Sequence, residues 1–379
     1  MGVQLKILEV SYSDPTEIGG INNRNWRVSH LLARKGHDVR IICTCPANGG
    51  QSEGVKGVVI DRLHSITSNF TYGLSLRAFN HVSKLLNGSN RPDVINLHTF
   101  GSALSHEIAF LCHLKNIPFI YSPHYNPNAH TLPAADLILR TMNRLSGLSL
   151  GWATEVVCIS EFEKNMLVRD FALPESKVTV IPNGVSEIRP RMRPRIDFRH
   201  GEEVSLLYVG CIVKWKGIQH LLLVVKELTK LGVNVRLSIA GSGNYEIALR
   251  REASSLGISD RLNWYGAVLG ERLNDLYRKA DVFLMLSVGE NYGTVVAEAL
   301  AQGTPAIVTT TESALIEFTN EPGCFGVSYP PDKKEIADIV LRILESGTKV
   351  GPFSRKICTW EDVAEQYEEL YERLSSKSL

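Results

Sequence analysis

Short apolar runs alternate with longer amphipathic stretches along the first half of the chain. The runs are typical of buried strands, and the stretches between them, such as residues 21–35 and 102–115, are typical of helices. Strands that alternate with helices predict a parallel sheet with crossover helices on both faces. The predicted strands of this half span residues 5–10, 39–43, 94–97, 119–121, 156–159 and 178–181.

The alternation breaks at Pro182-Asn183-Gly184 and resumes near Val204. The intervening segment is rich in arginine and proline, which is typical of a polar connection between domains. Beyond it, strands are predicted at residues 205–209, 235–240, 262–265, 282–286 and 306–309, and helices at 217–231, 245–256, 294–302 and 360–374. The last helix is amphipathic and must pack on another element. We therefore predict an N-terminal domain of residues 1–184, a C-terminal domain of residues 185–359 and a terminal helix in residues 360–379.

Length and charge narrow the class of protein. The 379 residues suffice for two domains that each bury a core. The 41 lysines and arginines nearly balance the 40 aspartates and glutamates, which argues against nucleic acid as a partner. Seven scattered cysteines without a CxxC pair argue against zinc sites and disulfides. No apolar run approaches the roughly 20 residues that span a bilayer, and no secretory signal is apparent, so we expect a cytoplasmic protein.

The strongest chemical feature follows the predicted strand at residues 282–286. Glu290 and Glu298 flank a segment in which Gly293 and Thr294 open a helix. Backbone amides at a helix N terminus form an anion site that suits a diphosphate. A carboxylate beyond the phosphates can accept hydrogen bonds from ribose hydroxyls. Taken alone, the two glutamates could equally be a loop residue and a helix-surface residue.

Lysine and glycine residues follow other predicted strands of the second half. Lys216 lies just before a helix, where a point positive charge would meet phosphates. A solvated loop lysine is the alternative. Gly241, Gly243 and Gly266 follow the next two strands, either as simple turns or as places where the backbone approaches a nucleotide.

The first half carries candidates at corresponding places. Gly19 and Gly20 follow the first strand and precede a helix, so the backbone there can approach a ligand closely. His98 ends one predicted strand and His124 follows the next. The carboxyl ends of parallel strands lie at one edge of a sheet, so both histidines are predicted to face one site. Either histidine alone would more often be structural.

These residues belong to an ordered series that spans nearly the whole chain. The series begins with GGI at 19–21, His98, SPH at 122–124, CISEFEK at 158–164 and IPNG at 181–184. It continues with VG at 209–210, KG at 216–217, AGSG at 240–243 and ENYGTVVAEALAQGTPAI at 290–307. In this order and spacing the chain resembles glycosyltransferase family 4, the large retaining group with the GT-B fold.

The resemblance implies two Rossmann-like domains whose parallel sheets face each other across a cleft, with a C-terminal helix that crosses back to the first domain. It implies a hexosyltransferase that uses a nucleotide-diphosphate sugar, a UDP- or GDP-sugar, as donor. A glycan or a lipid-linked sugar would be the acceptor. No Asp-x-Asp metal motif is present, so neither a metal nor another cofactor is expected.

The resemblance also assigns roles to single residues. Lys216 and the amides of Gly293 and Thr294 would neutralise the diphosphate, and Glu298 would hold the ribose. Glu290 and His98 would lie by the donor sugar. The predicted catalytic residues are His98, Lys216 and Glu290. The predicted donor-binding residues are Gly19, Gly20, Lys216, Gly241, Gly243, Gly266, Asn291, Tyr292, Gly293, Thr294 and Glu298. The residues predicted to face the acceptor are His124, Tyr125 and Asn183.

Cys211 departs from the family pattern. The family usually has an arginine at this position, five residues before the lysine, and that arginine also faces the diphosphate. A cysteine cannot replace its charge. A catalytically weakened nucleotide-sugar-binding homologue is therefore an alternative, and a GT-B-type nucleotide-sugar epimerase or phosphorylase is another.

The apolar stretch at residues 137–150 carries Arg140 and Arg144. It predicts either a helix packed against the first sheet or a helix that lies on the inner face of the cytoplasmic membrane and presents a lipid-linked acceptor. The sugar, the base, the acceptor and the oligomeric state do not follow from the sequence.

Overall fold

The computed structural model describes residues 3–17, 19–45, 51–65, 73–126, 136–189, 191–192 and 197–376. The chain divides into two compact units. The first unit consists of Met1–Gly184 together with Trp360–Leu379, and the second consists of Val185–Thr359. Each unit is an α/β structure with its own parallel sheet.

The first unit contains an eight-stranded sheet in the order β3-β4-β2-β1-β5-β6-β7-β8. Its strands are β1 (Lys6–Ser11), β2 (Asp38–Cys45), β3 (Gln51–Val55), β4 (Val58–His64), β5 (Val94–His98), β6 (Ile120–Ser122), β7 (Glu155–Cys158) and β8 (Val178–Val180). All neighbouring pairs are parallel except β3 and β4. The strand order reverses between β1 and β5, which is where a sheet of this kind binds ligands beyond its carboxyl ends.

Among the described residues before β8, the α-helices are α1 (Gly20–Arg34), α2 (Leu76–Asn87), α3 (Ala103–Leu114), α4 (Asp136–Trp152) and α5 (Glu161–Phe171). Apolar side chains of α2, α3, α4 and α5 pack with those of the central strands into one core. The strand β5 is buried at every position, as expected for a parallel sheet that is covered on both faces.

The second unit contains a six-stranded parallel sheet in the order β13-β12-β11-β14-β15-β16. The strands from residue 184 onward are β9 (Gly184–Val185), β10 (Arg191–Met192), β11 (Val204–Val209), β12 (Val235–Ala240), β13 (Leu262–Gly266), β14 (Val282–Met285), β15 (Ala306–Thr309), β16 (Cys324–Val327), β17 (Lys349–Val350) and β18 (Cys358–Thr359). The helices are α6 (Ile218–Lys230), α7 (Glu246–Ser255), α8 (Glu271–Lys279), α9 (Thr294–Ala301) and α10 (Lys333–Ser346). Here the strand order reverses between β11 and β14.

The last helix, α11 (Trp360–Ser376), returns to the first unit and packs against α1. Its buried stripe comprises Trp360, Val363, Ala364, Tyr367, Leu370, Tyr371 and Leu374. The prediction that the terminal helix crosses back to the first domain is therefore confirmed. Part of the arginine-rich segment between the units, including Arg193 and Arg195, lies outside the described residues.

Candidate active site

Lys216 and Glu290 meet where the strand order of the second unit reverses. Lys216 ends a short 3-10 helix (Lys214–Lys216) after β11, and Glu290 lies in the loop after β14. The Lys216 Nζ atom is 2.6 Å from Glu290 Oε1 and 4.3 Å from the centre of the Trp215 ring. The two side chains are only 16% and 12% exposed. The structure thus brings the two predicted catalytic residues of this unit into one partly desolvated ion pair.

A glycine allows this close approach. Gly217 has φ +71°, and a Cβ atom at this position would lie 1.8 Å from the carbonyl oxygen of Leu286. The amide of Val288 also donates a hydrogen bond to the carbonyl of Trp215 at 2.9 Å. The loop after β11 is therefore pressed directly against the end of β14, and no larger residue fits at the contact.

The helix α9 opens beside this pair without a side-chain cap. Its N-cap is Gly293, at φ +93°, and its first turn contains no acidic residue. No negative side chain in the first turn therefore neutralises the positive end of the helix dipole. Asn291 and Thr294 are half-buried beside it. The loop before α9 is held by the Glu290 amide, which donates to Ser313 Oγ at 3.1 Å.

Tyr292 has a different environment from the one expected of a donor-binding side chain. It is buried, its ring packs against Phe318, and its hydroxyl donates to the carbonyl of Lys356 at 2.6 Å. An apolar neighbour and an internal acceptor thus hold the side chain within the unit, and a role of Tyr292 in donor binding stays a prediction.

Glu298 is oriented by a buried tyrosine. The hydroxyl of Tyr277, in α8, donates to Glu298 Oε2 at 2.9 Å. Burial, reinforced by the Glu298 charge, raises the pKa of Tyr277 well above its usual value. The phenol therefore remains a proton donor at neutral pH and fixes one oxygen of the carboxylate.

The glycine turns after β11, β12 and β13 lie against one another. The Gly241 amide donates to the carbonyl of Gly266 at 2.7 Å, and a Cβ atom on Gly241 would lie 1.9 Å from the carbonyl oxygen of Gly210. A Cβ atom on Gly243 would lie 2.2 Å from the carbonyl oxygen of Ile212, whereas one on Gly266 would meet no atom within 4 Å. Gly241 and Gly243 are therefore required for packing of the loops, and Gly266 borders open space.

Cys211 is exposed in the same group of loops. Its carbonyl, not its thiol, has a structural role, because it accepts a hydrogen bond from the Tyr208 hydroxyl at 2.8 Å. Lys214, which is exposed, is another cation in this loop.

In the first unit, His98 is held by a buried carboxylate at the reversal point of the sheet. Its Nε2 atom lies 2.6 Å from Oε2 of Glu9, which is in β1. The other oxygen of Glu9 accepts from the Tyr371 hydroxyl at 2.7 Å. The side chains of His98 and Glu9 are 3% and 2% exposed.

His124 stacks on His98, with ring centres 5.9 Å apart and planes inclined by 12°. Burial, together with the neighbouring His98 and Arg24, lowers the pKa of His124 well below 6.5, so the ring is neutral at pH 7. Within the part of the chain that the structure describes, His98 Nδ1 and His124 Nε2 are buried atoms without a hydrogen-bond partner. The two histidines thus come together at one sheet edge, with a bare nitrogen on each ring.

The remaining predicted residues of this unit fall into two groups. Gly19 and Gly20 begin α1, and a Cβ atom on Gly20 would meet no atom within 4 Å, so space in front of it is open. Tyr125 and Asn183 are 8% and 7% exposed and have internal partners. The Tyr125 hydroxyl donates to Asp170 at 3.0 Å, and Asn183 accepts from the buried Arg24 at 2.7 Å. Internal partners thus hold both side chains, and the expectation that these two residues face an acceptor stays a prediction.

Sequence reasoning missed four polar residues: Glu9, Arg24 and Tyr371 beside the histidines of the first unit, and Tyr277 beside Glu298 in the second. A polar residue within an otherwise apolar strand, or on the apolar face of a helix, is the sequence signal that could have revealed them. Glu9 within the β1 sequence KILEVS is an example. A parallel sheet covered on both faces buries such a residue, and a buried charge requires a partner.

Two kinds of feature are absent from the described residues. No cluster of three or more metal-ligating side chains occurs among them. None of their helices combines the length and the apolar character needed to cross a membrane.

Two curated relatives match most of the chain. A glycosyltransferase of Methanocaldococcus jannaschii, itself described as uncharacterized, is 28% identical over 90% of this chain and 89% of its own length. One subunit of the human phosphatidylinositol N-acetylglucosaminyltransferase is 23% identical over 96% of this chain and 75% of its own. Among solved structures, Anabaena HepE in complex with UDP-glucose superposes with a TM-score of 0.66 at 14% identity, over 99% of both chains.

The family models divide the chain near the boundary of the two units. Residues 18–189 match the model described as Glycosyltransferase Family 4, and residues 190–356 match that described as Glycosyl transferases group 1. Together the two models account for most of the chain. With two Rossmann-like units and a terminal helix that returns to the first, the chain is a GT-B glycosyltransferase and belongs to glycosyltransferase family 4.

Proposed function

We propose that this enzyme transfers a hexosyl unit from a nucleotide-diphosphate sugar, a UDP- or GDP-sugar, to an acceptor hydroxyl with retention of anomeric configuration. The observation that carries the proposal is the Lys216–Glu290 pair, 2.6 Å apart at the reversal point of the second sheet. The glycine-capped start of α9 lies in the same loop system. A cation and the amide dipoles of a helix start, beyond the carboxyl ends of parallel strands, suit a diphosphate.

In this mechanism the charge that grows on the departing diphosphate is stabilised by groups that are already in place. Lys216 and the first amides of α9 neutralise the leaving group, and Glu298 accepts hydrogen bonds from the ribose. Glu290 lies by the donor sugar and keeps Lys216 in position. Such preorganised electrostatic stabilisation needs little rearrangement during the reaction. The HepE structure that contains UDP-glucose has the same fold, which supports a nucleotide sugar as donor.

We also propose that the reaction needs no metal ion, since Lys216 and the helix amides supply the positive charge. Turnover measured in the presence of a chelator such as EDTA should equal turnover with added Mg²⁺. A strict requirement for a divalent cation would contradict this part of the mechanism.

The acceptor is proposed to be a glycan or a lipid-linked sugar, and exposed apolar side chains on two helices of the first unit favour the lipid-linked class. Phe110 and Leu114 of α3 and Leu145 and Leu148 of α4 are between 41% and 60% exposed. Leu145 and Leu148 are three residues apart and thus share one helix face, and the exposed Arg144 adds positive charge. Apolar and basic side chains on one helix favour the surface of an anionic membrane.

Sedimentation with vesicles containing phosphatidylglycerol tests this membrane contact. The double variant Leu145→Ser/Leu148→Ser should remain in the supernatant while the wild type pellets. Leu231→Ser is the matched control, because Leu231 is a 55% exposed leucine on the second unit. Wild-type protein that does not pellet at low salt would contradict the membrane contact without affecting the transfer reaction.

Replacement of the paired residues tests the central proposal. Removal of one preorganised electrostatic group typically costs roughly 100-fold or more in rate, so Lys216→Met and Glu290→Gln should each lose about that much turnover and remain folded. Lys230→Met is the control, because Lys230 forms an exposed ion pair with Glu227 at 3.8 Å far along α6. Near-normal turnover of Lys216→Met with a verified donor would refute the assignment. Incubation with donor alone, without acceptor, separates transfer from epimerisation.

A further inference from the structure

A buried hydrogen-bonded network joins three strands and the last helix of the first unit. Glu9 in β1 binds His98 through one oxygen and Tyr371 of α11 through the other, at 2.6 and 2.7 Å. Asn96 Nδ2 donates to the Tyr371 oxygen at 3.1 Å, and Asn96 Oδ1 accepts from Ser122 Oγ at 3.0 Å. All five residues are at most 2% exposed. Both oxygens of Glu9 are thus oriented by groups of the chain itself.

These partners determine which nitrogen of His98 carries a proton. A carboxylate only accepts hydrogen bonds, so in the 2.6 Å contact with Glu9 the Nε2 atom of His98 must be the donor. In the neutral ring Nδ1 is then a bare acceptor. This atom is buried and has no partner among the described residues. A buried polar atom without a partner is costly, which indicates that a ligand supplies the missing donor.

We propose that Glu9 and Tyr371 are positioning residues that hold His98 as the Nε2–H tautomer, so that Nδ1 accepts a hydrogen bond from a hydroxyl of the transferred sugar. The inference rests on the proposed function, because it assigns the ligand hydroxyl to the sugar of the donor. It follows that the terminal helix contributes to the chemistry through Tyr371, in addition to covering the sheet. Among the partners that Glu9 has in the described part of the chain, only the Tyr371 hydroxyl comes from outside the strands.

The first test reads the tautomer directly and does not depend on activity. Protein labelled with ¹⁵N-histidine should show His98 with a protonated Nε2 and an unprotonated Nδ1 at neutral pH, the signals being assigned by their loss in His98→Ala. In Tyr371→Phe the pattern should shift toward a mixture of tautomers. A wild-type spectrum with protonated Nδ1 and bare Nε2 would overturn the inference.

The second test is kinetic. Glu9→Gln keeps the size of the side chain but cannot accept from both donors, and we expect kcat to fall about 10- to 100-fold, the usual effect of losing an orienting partner. The KM for the donor should change little, because the nucleotide is held by the second unit. Tyr371→Phe should lower kcat by a smaller factor, again with little change in the KM for the donor. If Glu9→Gln does not fold, Tyr371→Phe alone provides the kinetic test. Glu368→Gln is the control, because Glu368 lies in the same helix but binds Lys35 and His37 instead of Glu9 or His98, and this variant should keep its kcat.

A double-mutant comparison separates positioning from general damage. If Glu9 acts through His98, then adding Glu9→Gln to His98→Ala should cause no further loss of kcat. Additive losses, or wild-type kcat in both Glu9→Gln and Tyr371→Phe, would overturn the inference. Normal turnover of His98→Ala would also overturn the inference, whereas absence of transfer by the wild type would contradict the proposed function and leave the tautomer measurement standing by itself.

Discussion

At the scale of single residues, Cys211 leaves its position in the loop before Lys216 without the positive charge that an arginine would offer to the proposed diphosphate. Its thiol is exposed at the end of β11 in the same loop as Lys216, so a longer side chain has room. Cys211→Arg should strengthen binding of UDP or GDP by about fivefold, because a partly exposed charge-assisted hydrogen bond adds about 1 kcal/mol. Titration calorimetry with the nucleotide measures the change.

Cys211→Ser provides the comparison for that experiment, because it alters the atom without adding charge. Its affinity should equal that of the wild type. An arginine variant that binds no more tightly than the serine variant would show that position 211 does not face the phosphates.

Glu163 makes the stability of the first unit dependent on pH. It is fully buried and accepts from the amides of Tyr125 and Ile159 at 2.5 and 2.8 Å. Burial raises the pKa of Glu163 from 4.5 to about 7. The folded state therefore keeps a proton that the unfolded state loses, and its stability falls as pH rises from 4.5 to 7.

The variant Glu163→Gln, which cannot ionise, isolates this effect. The difference in unfolding free energy, wild type minus variant, should fall by about 3 kcal/mol between pH 4.5 and 7, at 1.36 kcal/mol for each unit of pKa shift. Above pH 7 it should be flat. Urea unfolding at several pH values measures it, and a difference that does not vary with pH would be inconsistent with a raised pKa.

At the scale of elements, the contact between the loop after β11 and the end of β14 depends on one glycine. Gly217→Ala places a methyl group against the Leu286 carbonyl in addition to a strained backbone. We expect a loss of about 3 kcal/mol or more in the free energy of unfolding, as is typical of overpacking with strain. The midpoint of urea denaturation reports the loss.

Gly257→Ala is the matched variant, because Gly257 has a similar φ of +67° but no atom within 4 Å of the added methyl group. Its free energy of unfolding should fall by only about 1–2 kcal/mol, which is the cost of a left-handed backbone for a residue with a side chain. Equal losses of unfolding free energy in the two variants would mean that contact with the Leu286 carbonyl adds nothing to the cost of Gly217→Ala.

Much of the architecture could be predicted from periodicity, and the exceptions have physical causes. The predicted strands and helices lie within about two residues of those observed, but the β3–β4 hairpin, α2, α5, α8, β16 and α10 were not assigned. In α8 only Tyr277 is buried, so little apolar periodicity marks the helix. Ser160 caps α5 by accepting a hydrogen bond from the Glu163 amide. A serine at this place is a sequence signal for the start of a helix, and the prediction did not use it.

The candidate site was predictable where it consists of strand ends and glycines. Lys216 and Glu290 follow predicted strands of the second sheet and His98 follows one of the first, and the topology of a parallel sheet brings the positions after its strands to one edge. The partners of His98 could not be found in this way. Glu9 and Tyr371 are separated by 362 positions, and local patterning carries no information about a pair so distant in sequence.

At the scale of the whole molecule, the proposal assigns the nucleotide of the donor to the second unit and the acceptor to the first. Hydrogen exchange with UDP or GDP should show protection in the loops of the second unit, at residues 210–217, 241–243, 266–270 and 289–294. These segments contain the exposed or ligand-facing amides of the proposed site, and bound ligand suppresses local opening. Protection confined to residues 19–22 and 98–101 of the first unit would contradict this division.

The return of α11 has a consequence for biosynthesis. The second unit is one continuous segment, Val185–Thr359, whereas the first unit is completed only by Trp360 onward. On the ribosome the central segment can mature as soon as it emerges, whereas Glu9 can pair with Tyr371 only after a residue 362 positions further along has been made. We therefore expect the first unit to become resistant to proteolysis only after the segment that forms α11 has emerged, and thus after the second unit.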